Sequence, residues 1–60
     1  MVERIYTVET IQKGDDQGNL MVMLRDNELD STIMMMLPSD AVSKLAAFPG
    51  SSVKIIIEKV

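Results

Sequence analysis

The chain of sixty residues contains no cysteine and no histidine. The first absence removes disulfide bonds as a source of stability. The second removes the commonest metal ligand and the side chain best suited to acid–base catalysis near neutral pH. Tryptophan is also missing, and Tyr6 and Phe48 are the only aromatic residues. Stacking of bases on an aromatic platform, a usual way of holding single-stranded nucleic acid, therefore has almost no material. Basic charge is sparse as well: Arg4, Lys13, Arg25, Lys44, Lys54 and Lys59 are scattered along a chain of net charge −3. An acidic average repels phosphate and argues against nucleic acid as a partner. No apolar run approaches the roughly 18 residues of a membrane span, and the N-terminal segment with Glu3, Arg4 and Glu9 is unlike a signal peptide. A soluble cytoplasmic protein with no membrane partner is expected.

Catalytic constellations are missing too. Ser31, Ser39, Ser43, Ser51 and Ser52 have no histidine or cysteine beside them and are explained by turns and caps. Asp15, Asp16, Asp26, Glu28 and Asp30 lack the alternating ligand spacing of a calcium loop and read as solvated turn residues. Gly14 and Gly18 are not followed by the lysine of a phosphate loop. The expectation is no enzyme, no metal and no cofactor.

What the chain does have is alternation. Val2 to Gln12 is rich in β-branched residues and reads as a first strand. In it Ile5 and Ile11 fall on one side while Tyr6 and Val8 fall on the other, which predicts a bulge or bend. Lys13 to Asn19 is a loop by composition, Leu20 to Arg25 a second strand, Asp26 to Asp30 a turn, and Ser31 to Leu37 a third strand. Pro38 stops that strand, and Ser39 is the expected N-cap of a helix with Asp40 in its first turn. Ala41, Val42, Leu45 and Phe48 form one helical stripe, ended by Pro49 and Gly50. Ser51 to Val60 is the fourth strand, and its Ile55-Ile56-Ile57 run suggests a central position. The predicted fold is a single α+β domain over residues 1–60, a small β-rich unit of order β-β-β-α-β. It is an antiparallel sheet or partly closed barrel with one helix packed on it.

The two faces of these strands differ in chemistry. One collects Leu20, Val22, Leu24, Ile33, Met35, Leu37, Val53, Ile55 and Ile57, with no polar residue, and is the face a helix should cover. The other collects Met21, Met23, Met34, Met36 and Ile56, with Arg25 and Lys54 as a polar rim. Leaving those five apolar side chains in water would forgo roughly 1.5–3 kcal/mol each as an upper estimate. A domain of this length has only about 3–9 kcal/mol of total stability. The methionine-rich face therefore needs a cover, and three are open: the first strand curled over it as in a closed barrel, a second copy of the chain, or another partner. Methionine is unbranched and polarizable and repacks readily around a partner. The leading expectation is a small non-enzymatic interaction or regulatory protein, a homodimer through Met21, Met23, Met34, Met36 and Ile56.

The segment IMMMLPSDAVSKLAAFPGSSVKIIIE, residues 33–58, has a strand ending in Pro38, a helix carrying Leu45, then Gly50 and alternating Val53, Ile55 and Ile57. It resembles the strand-helix-strand unit of AbrB-type swapped-hairpin regulators. That resemblance implies a dimeric transcription regulator, and the alternative function is a nucleic-acid-binding regulator whose dimer gathers Arg4, Arg25, Lys54 and Lys59 onto one surface despite the acidic average. The long first hairpin is extra to the unit, and no site residue is carried over.

Overall fold

Two aspartates set the turns that fold the first half of the chain. Asp15 accepts hydrogen bonds from the backbone N–H of Gln17 (2.9 Å) and Asn19 (3.2 Å) and from the Asn19 side-chain amide (2.8 Å). Gly18 supplies the positive φ, +86°, that closes this loop. Asp26 accepts from the N–H of Glu28 (2.9 Å) and Leu29 (3.2 Å), closing the second turn. In the computed structural model, which describes residues 1–60, these turns join β1 (Val2–Lys13), β2 (Asn19–Asp26) and β3 (Ser31–Pro38) into an antiparallel meander. Helix α1 (Ser39–Leu45) and β4 (Ser52–Ile57) follow. The order across the sheet is β3-β2-β1-β4, all pairs antiparallel. This is the predicted element order, as an open sheet and not a barrel.

The irregularity expected in the first strand is a bulge at Glu9: Val8 pairs with Leu24, but Thr10 pairs with Met23. One extra residue reverses the facing of everything after it. Ile11 thereby joins Tyr6 and Val8 on the helix side, while Ile5 and Thr10 lie on the methionine side. Val8, Val22, Leu24 and Val42 form the buried core, with Ile11, Leu20, Ile33, Met35, Leu37, Val53 and Ile55 partly buried around it. Helix α1 thus covers the predicted face, through Val42.

Three local expectations are corrected. Pro38, not Ser39, occupies the N-cap position, with φ −58° and ψ 143° and no side-chain capping bond. The Ser39 N–H is instead used on the Gly18 carbonyl (2.9 Å), tying the start of α1 to the first loop. The helix stops at Leu45, earlier than Pro49, with Ala46 left-handed (φ 52°) and its N–H on the Ser43 carbonyl (3.0 Å). Pro49 biases Phe48 away from helical geometry. Phe48 instead opens a turn in which the Ser51 N–H reaches the Phe48 carbonyl (2.9 Å) across Gly50 at φ +98°. Finally, β4 is an edge strand, so Ile56 and Ile57 are exposed and not doubly covered.

Candidate functional site: an uncovered methionine block

Direct cross-strand pairing brings four of the predicted residues together. Met21 is opposite Met36 and Met23 opposite Met34, so β2 and β3 present a contiguous block of thioether side chains on the face away from α1. On the β1 side the block is flanked by Gln12, opposite Met21, and Thr10, opposite Met23. Met34 is 64% exposed and Met36 46%, while Met21 and Met23, flanked by strands on both sides, are half-buried. The Thr10 hydroxyl is enclosed there with no hydrogen-bond partner. Met36 lies against the first loop: a Cβ on Gly14 would stand 2.5 Å from its methyl carbon and 2.9 Å from the Asn19 carbonyl oxygen. That close approach is why the loop has glycine there.

Ile56 does not join this block. It is opposite Glu3 on β4, whereas the methionines align with Thr10 and Gln12 at the other end of β1. Ile56 (52% exposed) instead makes a separate patch with Ile5, which the register of β1 with β2 and β4 puts on this face. The two rim residues separate in the same way. Arg25 follows Met23 along β2 and pairs with Asp30, so it bounds the methionine block. Lys54 sits opposite Ile5 and pairs with Glu3 (3.7 Å), bounding the isoleucine patch instead. The Thr32 hydroxyl and the Glu9 carboxylate, 3.4 Å apart, add to the polar end beside Arg25.

The helix side carries two features the sequence did not reveal. The first is a half-open apolar cleft of about 240 Å³ beside α1, lined by Val8, Leu24, Val42, Leu45, Val53 and Ile55 among others. It exists because a seven-residue helix packs over β2 and β3 only and leaves the β4 half of the sheet uncovered. Leu45 and Phe48, expected to complete the core stripe, are 62% and 63% exposed. Only five of the sixty residues are buried, so part of each face of the sheet remains accessible in the single chain.

The second is an ion pair at the end of the sheet. Asp26, expected as a solvated turn residue, is 2% exposed and accepts from Arg4 Nη2 (2.6 Å) and Nε (3.1 Å). Arg4 Nη1 also approaches Glu28 (3.7 Å). The Arg4 hydrogen bond holds the Asp26 carboxyl below its usual pKa; desolvation opposes this, and the Glu28 and Leu29 N–H groups add to it. Arg4 is raised in turn, chiefly by the same hydrogen bond. The first loop behaves similarly: Asn19 and the backbone N–H of Gln17 lower Asp15. These carboxylates fasten turns, and no group of acidic side chains is arranged to hold a metal ion.

The basic residues are not assembled into one surface. Arg4 lies against Asp26, Arg25 against Asp30, Lys13 against Asp16, Lys44 near Asp40 and Lys54 near Glu3. The residues 33–58 that resemble a swapped-hairpin unit place their two strands at opposite edges of the sheet. No protein-family model matches the chain, and comparisons with curated proteins and with solved structures find no significant match. No helix is long and apolar enough to cross a membrane.

Proposed function

We propose that this chain is a small non-enzymatic interaction or regulatory protein that acts as a homodimer through the methionine block of β2 and β3. The observation that carries this reading is the pairing of Met21 with Met36 and Met23 with Met34 on a face where Met34 and Met36 stay exposed. A second copy meets the need best, because the patch is apolar, adaptable and bounded by the charged Arg25, which suits an apolar centre with a polar rim. Nucleic acid is the weaker candidate: paired arginines and lysines have little charge left to neutralise phosphate. The apolar groups also dominate the face that Arg25 shares.

The test is light scattering coupled to size exclusion across a dilution series, on the wild type and on Met34→Lys. The wild type is expected at twice the chain mass or more and Met34→Lys at a lower mass with strand content retained, because the β3 backbone ladder does not depend on that side chain. An obligate dimer would instead unfold as it dissociates, with a midpoint that depends on protein concentration. A wild type that stays monomeric at high concentration would overturn the proposal.

A further inference from the structure

Strands β3 and β4 are the two edges of the sheet, and they are built differently. Strand β4 carries Lys54 in its middle, a charge of the kind that deters strand addition. Strand β3, Ser31–Pro38 with sequence STIMMMLP, has no charged residue along its eight positions. Helix α1 contacts β3 and β2, and no strand pairs with the outer side of β3. One row of backbone N–H and C=O groups on β3 therefore has no partner in the sheet, beside side chains that favour an apolar neighbour.

We propose that the outer edge of β3 is a second self-interface, at which β3 of another copy adds antiparallel. This goes beyond the face-to-face dimer proposed above but presupposes, like it, that the chain self-associates. Two-fold symmetry restricts the register, because residues opposite each other must share a face. Centring on Met35 sets Met35 against Met35 of the second copy, Met34 against its Met36, and Ile33 against its Leu37, so every row from Ile33 to Leu37 is apolar. Shifting the centre to Met34 puts Thr32 against Met36 and Ser31 against Leu37, mixing polar and apolar rows. The Met35-centred pairing also joins the two methionine blocks into one continuous surface across β2 and β3 of both copies. On the helix side it covers the half-buried Ile33, Met35 and Leu37. Combined with face-to-face stacking through the methionines, it closes a dihedral assembly and leaves no uncharged edge.

The absence of native cysteine makes the register directly testable. Opposite residues of an antiparallel pair have Cβ atoms about 4.5–5.5 Å apart, within reach of a disulfide after small adjustment. Met35→Cys is expected to shift from the single-chain to the double-chain band on mild oxidation and to return on reduction. Ile55→Cys, at a half-buried position on the opposite edge strand, is expected to stay single. Mixing Ile33→Cys with Leu37→Cys is expected to give the mixed disulfide in preference to either self-disulfide, which guards against a single variant that folds poorly. Stacking of methionine faces alone cannot produce these bonds, because Met35, Ile33 and Leu37 then point away from the contact of sheets about 10 Å apart. A dimer by light scattering in which Met23→Cys cross-links but Met35→Cys and the Ile33/Leu37 mixture do not would overturn the edge pairing and leave the face dimer standing. A chain that is monomeric throughout would overturn both.

Discussion

Val42 is the only buried residue of α1, at 7% exposure, and it packs on Val8, Val22 and Leu24. Val42→Ala removes two methyl groups from the one helix residue that enters the buried core. At about 0.8 kcal/mol per buried carbon plus an incomplete-collapse term, the expected cost is about 1.5–3 kcal/mol. The adjoining cleft already reduces the number of atoms around Val42, which favours the lower half of that range. Leu45→Ala removes more atoms but from a side chain 62% exposed, so its expected cost is under about 1 kcal/mol. Urea unfolding followed by circular dichroism, at one fixed protein concentration, measures both. Against a total of about 3–9 kcal/mol, the Val42 change should visibly lower the midpoint while the Leu45 change barely moves it. If Leu45→Ala is as costly as Val42→Ala, the helix-side cleft is closed in solution, and the account of a partly uncovered sheet fails.

Acid stability should report the Arg4–Asp26 pair. Because Asp26 titrates lower when folded, its contribution is present above the ordinary carboxyl range, about pH 4, and is lost as pH falls through the depressed folded value. Asp26→Asn is therefore expected to be less stable at neutral pH and to show a flatter decline in thermal midpoint on acidification; parallel curves for the two proteins would rule the pair out as the cause. Gly50→Ala meets open space but forces φ +98° on an alanine, in the turn whose Gly50 N–H and Ser51 carbonyl hold both backbone groups of Val8. A loss of about 1–2 kcal/mol is expected in the same urea assay, and an unchanged midpoint would show that this turn is not fixed as described.

The element order and the chemical split between the faces were legible in the sequence because each rests on local signals: Asp-rich turns, Pro38, and alternation in Leu20 to Arg25 and Ser31 to Leu37. What was not legible depends on pairing. The bulge at Glu9 could be suspected from the broken alternation, but only its position in the register decides that Ile11 joins the core and Ile5 joins Ile56. The edge position of β4 follows from which strand β1 accepts as its second neighbour, and an isoleucine run does not encode that choice. The early end of α1 reflects Phe48 being drawn into the Pro49-Gly50 turn, so a stripe with correct helical spacing outlasts the helix itself. Asp26 read as a surface turn residue because its partner Arg4 is 22 positions away.

The claim that the methionine block is covered by a second copy is tested most directly at its own methyl groups. Carbon-labelled methionine ε-methyl resonances can be followed by NMR with a soluble paramagnetic agent while the protein is diluted. Met1, 77% exposed at the chain end, serves as the accessible reference. At high concentration the methyls of Met21, Met23, Met34 and Met36 are expected to be shielded from the agent. On dilution Met34 and Met36 are expected to become accessible while Met1 stays unchanged. Met34 and Met36 methyls as accessible as Met1 at every concentration would contradict the account.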